Sequence, residues 1–399
     1  MLPRVKILFE NGNLGLVTPS PDGLMGICCT GTSVGSTFEL SKAYKISAYS
    51  DLQDLGITAV NNPTIDKIIK EFYDEAQTGT EVWLMAFPDT VKMSEMADKN
   101  ENYAKKLIEA TGGKLRGIFI SRTPSVGYTP TITNGLDADV ATAIAKAQLL
   151  AQWATEVKFA PLFVVIEGYG YSGVSADLTD LTAGTSNNRV SVMIGDSVSN
   201  SKNAAIGVLA GRIASIPVQR NIARVKSGAV ALVAAYIKDK VVDVADVTGL
   251  HDKGYITFRT FVGRAGYFFN DDFMATKATD DYSHLTARRT IDKAYRISYN
   301  TLLEELLDEV PVNADGTLQV SLVKSWQAKV ESAIASAMTA NGELSADVTN
   351  PSDKGVICYI DHNQNIIADS KVNVRVSVRP FGYPRYIDVY LGFQTMTSN

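Results

Sequence analysis

The 399-residue sequence predicts an α/β body followed by an α+β body. Three observations carry this. Strand and helix patterns alternate from about residue 24 to residue 215; the texture then changes to short strands and loops around two long helices; and the chain ends in its most regular period-2 alternation. A chain of this length is too long for one ordinary core, and each body is large enough to bury its own interior.

The opening RVKILFE sets Val5, Ile7 and Phe9 on one face of a strand and Arg4, Lys6 and Glu10 on the other. NGNLGLVTPSPDG, rich in Gly, Pro and Asn, then reads as a linker, so residues 1–23 are expected to be a strand tethered loosely to the body. LMGICCTG has the continuous apolar run of a buried strand. NNPTIDKIIKEFYDEA reads as a helix with Asn62 as N-cap, Pro63 at the first position, and Ile65, Ile68, Ile69, Phe72 and Ala76 along one stripe. Strand EVWLMAF, a helix from NENYAKKLIEAT stopping at Gly112 and Gly113, strand LRGIFIS and a helix over about 136–157 follow. The last of these turns Val140, Ile144, Ala147, Ala151 and Ala154 inward. Strands PLFVVIEG and VSVMIGD and the helix NAAIGVLAGRIASI complete a largely parallel α/β layer over 24–227.

Residues 228–382 are expected to form the second body, with helices over about 284–307 and 319–340 before a β-rich end. There KVNVRVSVR places Val372, Val374, Val376 and Val378 on one face, and YIDVYLGF does the same with Ile387, Val389, Leu391 and Phe393. The intervening RPFGYPR breaks the ladder, so residues 383–399 read as a terminal strand free to leave its neighbour. Amphipathic strands at both ends, each behind a Pro/Gly break, need partners. These are either an internal sheet or another copy of the chain.

Composition narrows the function classes. With 45% hydrophobic and 20% charged residues and a net charge of -5, nothing pulls the chain as a whole towards nucleic acid or acidic membranes. No apolar run approaches the ~20 residues of a membrane span, and MLPRVKILFENGN has charges where a signal peptide is apolar, so the protein is expected in the cytoplasm of the cell that makes it. Cys28, Cys29 and Cys358 lack any Cys-x-x-Cys or Cys/His spacing and read as small buried hydrophobes.

Catalytic motifs are sparse. EGYGYSG satisfies G-x-G-x-x-G at Gly168, Gly170 and Gly173 after a strand, with Asp196 ending the next strand. The polar VSADLTDLTAGTSNN that follows lacks the amphipathic helix that holds a pyrophosphate, so a turn-rich surface loop is expected and a nucleotide-binding α/β enzyme is the alternative. His251, His284 and His362 are widely spaced and read as solvated or helix-capping. Asp271, Asp272, Asp280 and Asp281 lack a calcium-loop spacing and read as a hydrated loop. Arg288 and Arg289 on a helix suggest an ion-pair contact between subunits or domains rather than a phosphate site. No Walker loop, nucleophile elbow or zinc-protease motif occurs. The sequence therefore gives no catalytic, cofactor or metal residues and points away from an enzyme.

The order of pieces is similar to the tail sheath proteins of phages and phage-tail-like contractile systems. GLMGICCTG, AYSDLQDLGIT, the helix ending in EFYDEA and then TEVWLMAF resemble the family's N-terminal half. AAIGVLAGRIASIPVQRNIARVKSGAV resembles its alanine-rich helix, with an A-G-R-x-A element at 210–214. YITFRTFVGRAGYFFNDDFMA resembles its G-x-x-x-x-G-x-R-T segment, except that Ala265 and Gly266 follow Arg264 where the pattern has Thr. YSHLTARRTIDKAYRISYNTLLEEL and VNVRVSVRPFGYPRYIDVYLGF resemble the paired-arginine helix and terminal strands. The resemblance implies a tail-sheath-like fold, with an α/β outer domain, a C-terminal α+β core, and linking strands at 1–23 and 383–399 that enter neighbouring subunits. It implies a homo-oligomeric helical sheath around an inner tube protein, with baseplate and tail-terminator partners and neither nucleic acid nor membrane insertion. Contraction would then be driven by energy held in subunit contacts. Another virion or baseplate component is the remaining structural alternative.

Overall fold

The computed structural model describes residues 22–184 and 186–393. Strand β1 (Met25–Thr30) is buried along its whole length. Neighbouring strand residues point to opposite faces, so 0% exposure at both Cys28 and Cys29 requires both faces of the sheet to be covered. In chain order follow β2 (Tyr44–Ile46), α1 (Pro63–Glu75), β3 (Val82–Phe87), α2 (Ala104–Ala110), β4 (Gly117–Ile120), α3 (Ala138–Glu156), β5 (Phe163–Glu167), β6 (Val190–Met193) and α4 (Ile206–Ser215). The strands lie in the order β2-β3-β1-β4-β5-β6. All pairs are parallel except β2 with β3, as the alternating strand and helix pattern requires.

Helix α1 buries Ile65, Ile68, Ile69 and Phe72. Asn62 and Pro63 stand where the sequence placed them, but the Asn62 side chain does not cap the helix. Its Oδ1 accepts from Thr32 N at 2.7 Å and its Nδ2 donates to Thr32 O at 3.0 Å, tying the helix start to the loop after β1. Helix α4 lies close against α1 because a Cβ at Gly207 or Gly211 would run into the carbonyl oxygens of Ile68 and Phe72. The same contact buries the ion pair of Arg212 Nε with Glu75 Oε1 at 2.5 Å. Asp137 caps α3 by accepting from Asp139 N at 2.9 Å. Just beyond the other end of α3, Phe159 takes φ +53°, a left-handed position usually left to Gly or Asn, at a cost of about 1–2 kcal/mol.

The boundary expected at 227/228 is not where packing divides the chain. Two compact units meet at Asp308 and Glu309. The texture does change near residue 228, yet the following segment is sewn into the first unit. Tyr236 bridges Asp196, Ile256 bridges Met193 at the end of β6, and Ala275–Thr276 pairs with Ser186–Asn187. The hairpin of β7 (Phe258–Phe261) and β8 (Arg264–Phe269) and helix α5 (Leu285–Leu303) belong to this unit. In the second unit, α6 (Val320–Ile334) continues into a π-helical turn, Ala335–Thr339, and packs on β9 (Val356–Ile360), with Cys358 N donating to Glu331 Oε1 at 2.9 Å. Strand β10 (Val374–Val378) pairs antiparallel with β9, setting Val374, Val376 and Val378 opposite Ile360, Cys358 and Val356. That valine face, with Val372 preceding it, is half-buried as its alternation implies.

Candidate functional site

After β10 the expected last strand finds no ladder partner among the described residues. Residues 381–393 form neither helix nor strand within the single chain. Their alternation is intact but fully presented, with Ile387 75%, Val389 78%, Leu391 96% and Phe393 105% exposed. Proline and glycine in RPFGYP remove the donors and rigidity that would fold this segment back on β10. A strand-length apolar face left in water is a surface for a partner, and backbone groups without a ladder make strand addition the natural mode. The opposite candidate, Val5, Ile7 and Phe9, lies outside the described residues.

Arg288 and Arg289, expected to make an ion-pair contact between subunits or domains, are interior residues, 6% and 4% exposed, and their partners lie within the first unit. Arg288 Nη2 lies 2.7 Å from Asp292 Oδ1, and Arg189 Nη1 lies 3.0 Å from Asp292 Oδ2, so one carboxylate holds two guanidiniums. Burial lowers the Arg288 pKa and Asp292 opposes that shift. Arg289 donates to the carbonyls of Ile213 and Ile216, each at 3.0 Å, capping the C-terminal end of α4 with positive charge. The paired arginines thus lock α5 to α4 and β6. One turn further along α5, Lys293 Nζ and Arg296 Nη2 each lie 2.7 Å from the carboxylate of Asp22.

Asp271 and Asp272, read as part of a hydrated loop, are buried. Asp280 is half-buried and Asp281 exposed. Asn221 Nδ2 donates to Asp271 Oδ1 at 2.7 Å and to Asp272 Oδ1 at 2.8 Å, and Asp272 Oδ2 accepts from Thr286 N at 2.8 Å, capping α5. Burial and the adjacent Asp271 carboxyl push Asp272 well above the usual carboxylate range. His284 Nε2 is 3.9 Å from Asp271 Oδ2, and Asp271, Asp272 and His284 each offer one ligand-type atom, all within 4.8 Å of one another. His251 and His284, far apart in sequence, both pack on Phe273, with ring centroids at 4.9 and 5.6 Å; His362 is exposed.

The glycine loop is only partly the surface loop expected. Gly168, Tyr169 and Gly170 are buried, and a Cβ at Gly168 would meet Met193 O at 2.8 Å, so this glycine serves strand packing. Gly170 and Gly173 take φ +72° and +92° in turns, and only a three-residue 3-10 turn, Ser175–Asp177, follows Gly173. The loop does not open a helix of its own, as the dinucleotide fingerprint demands. Asp196 is committed to Lys67, at 2.6 Å. Glu167, ending β5 at 0% exposure, accepts from Ala204 N at 2.7 Å, Ser121 Oγ and Arg122 N at 3.0 Å each, and Asn203 Nδ2 at 3.1 Å. Burial pushes its pKa up to about 7 against these four donors. No helix of the described residues is long and apolar enough to cross a membrane.

A covered parallel sheet in the first unit, a smaller α+β second unit and a strand-length apolar segment exposed among the described residues make up a fold that solved structures share, and that fold is tail-sheath-like. A chain of the anti-feeding prophage baseplate superposes with a TM-score of 0.65 at 14% identity, covering 99% of both chains. A chain of the extracellular contractile injection system PVC sheath complex in its contracted state gives 0.61 at 15% identity, covering 98% of this chain and 97% of that one. The contracted helical sheath of the anti-feeding prophage gives 0.59 at 15% identity over 98% and 99%. The chain belongs to the DUF2586 family, whose N-terminal domain matches residues 2–273 and whose C-terminal domain matches 281–398. No curated protein matches the sequence.

Proposed function

We propose that this chain is the subunit of a contractile sheath. It polymerises helically around an inner tube, and its contraction drives the tube through a target envelope, with no nucleotide consumed. The observation that carries this reading is the alternating face of Ile387, Val389, Leu391 and Phe393, exposed in the single chain and suited to complete a sheet in a neighbouring copy. The N-terminal strand of Val5, Ile7 and Phe9 makes the second link, so each subunit is joined to its neighbours at both ends and stays joined as the lattice rearranges. The inner tube protein, a baseplate and a tail terminator are its partners, and assembly takes place in the cytoplasm of the producing bacterial cell. Likeness to sheath chains from contractile systems supports this reading. Deleting residues 1–12 is expected to abolish polymerisation while leaving a folded chain; tubes of normal length from the truncated protein would sink the reading. The likeness to a baseplate chain supports a second reading, a sheath-like subunit at the baseplate end of such a particle, for which closed rings rather than open tubes are the expected product.

A further inference from the structure

An ion triad joins α1 to the turn after β6, and it is built unlike a surface salt bridge. Lys67 and Glu71 stand one helical turn apart on α1, and Lys67 Nζ lies 2.8 Å from Glu71 Oε1 and 2.6 Å from Asp196 Oδ1. Both acids are interior, Glu71 7% and Asp196 3% exposed. Ser197 Oγ donates to Glu71 Oε1 at 2.6 Å, and Ser197 N donates to Asp196 Oδ1 at 2.7 Å. The second oxygens, Glu71 Oε2 and Asp196 Oδ2, are buried with no hydrogen-bond partner among the described residues. One lysine thus faces two interior carboxylates, and charges so placed are costly to keep out of water.

The reacting groups are also held still. Lys67 lies inside α1, and Asp196 exchanges two backbone hydrogen bonds with Tyr236, at 2.9 and 2.8 Å. An amine fixed against a carboxyl group from both sides is a near-attack pair, and an acid touching that amine is placed to move its protons. Burial pushes the Glu71 pKa up, which suits that carboxyl to hold and release a proton. Burial works against the charge on Lys67, but Glu71 and Asp196 outweigh it and keep the amine protonated, so its reaction is slow.

We propose that Lys67 and Asp196 condense into an isopeptide bond within the chain, with Glu71 as the acid–base catalyst. The Lys67 ammonium passes one proton to the Asp196 carboxylate, and the freed electron pair on Nζ attacks Cγ to form the C–N bond. The adduct gives its extra nitrogen proton to Glu71, and Glu71 supplies one to the departing hydroxyl. The C–O bond breaks with its electron pair on that oxygen, which leaves as water. One ammonium and one carboxylate become one amide and one water, nothing is oxidised or reduced, and Glu71 ends as it began. Two buried charges are removed. The bond staples α1 to the end of β6; its use, bracing a subunit that carries load, rests on the assembly reading, whereas the bond itself is read on dispersed chains.

Intact-mass spectrometry of the aged, denatured full chain, followed by proteolytic mapping, is the test. The expected result is a mass one water below that of the sequence and a peptide pair joined through Lys67 and Asp196. Lys67→Arg and Asp196→Ala should keep their full masses, and Asp196→Asn should still link, releasing ammonia in place of water. Glu71→Gln should lose most of the link at an unchanged melting temperature. The peptide map of the native chain decides the bond whether or not a variant folds. A native chain that keeps its full mass however long it is stored, a water lost without the Lys67–Asp196 peptide pair, or equal linking in folded Glu71→Gln would each overturn the proposal.

Discussion

Replacing Leu391 with serine isolates one side chain of the proposed joint. In the free chain Leu391 is 96% exposed, so its removal leaves the fold's stability within about 0.5 kcal/mol. In a joint, burying a leucine contributes about 1.5–3 kcal/mol, so the serine variant weakens each link roughly 10- to 100-fold. The joint has little to spare. Its four apolar side chains supply about 6–12 kcal/mol. Fixing the seven residues from Ile387 to Phe393 costs about 7–14 kcal/mol, leaving ladder hydrogen bonds to tip the balance. Sedimentation across a concentration series reads the critical concentration for assembly, and thermal melting of the dispersed chain reads the fold. A rise of one to two orders of magnitude in critical concentration with an unchanged Tm is expected. An unchanged critical concentration, or a fall in Tm, would refute the reasoning.

Glu167 supplies a pH dependence of unusual sign. Its pKa is raised from 4.5 to about 7 in the folded chain, so between those values the unfolded chain releases a proton that the folded one keeps. Stability is fully present below 4.5 and is lost as pH rises towards 7, by on the order of 3 kcal/mol. Chemical denaturation from pH 4.5 to 8 should show this slope in the native chain and a smaller one in Glu167→Gln, where Asp272, also raised by burial, still contributes; an equal slope in both would remove the cause assigned here. Asp292→Ala leaves Arg189 and Arg288 buried without their shared carboxylate and should cost about 3–5 kcal/mol, read as a lowered urea midpoint at unchanged m-value. Gly211→Ala drives a methyl into Phe72 O and should cost about 1–3 kcal/mol by the same measurement, with neutrality excluding the close α1–α4 contact as the reason for the glycine.

The α/β sheet was legible because its strands are continuous apolar runs and its helices carry one apolar stripe each; MGICCT and PTIDKIIKEFYDE need no tertiary information to be read. The divide at residue 308 was not legible, because composition changes near 228 whereas the bridges from Tyr236, Ile256 and Ala275 that bind the following segment to β6 are long-range pairings. The buried charges escaped for the same reason. Asp271 and Asp272 sit in a polar stretch whose local pattern is that of a loop, and only Asn221 and the start of α5 make it interior. Arg288 and Arg289 were found as an ion-pairing couple at a subunit or domain contact, and helical spacing alone does not reveal that Asp292 and the end of α4 are their partners. Glu167 carried a readable signal, a lone acid closing the apolar run FVVI. Both C-terminal alternations were legible as strand patterns; Val374–Val378 forms one, whereas residues 381–393 form neither helix nor strand within the single chain, because a pattern supplies no ladder partner.

Negative-stain electron microscopy of the purified chain with and without residues 383–399 tests the assembly claim most directly. Residues 384–393 of the segment are exposed and Tyr383 is half-buried, so its loss spares the fold. Hollow tubes of uniform diameter from the full chain, and dispersed folded monomers from the truncated one, are expected; tubes from both, or from neither, would contradict a sheath joined through its terminal strand.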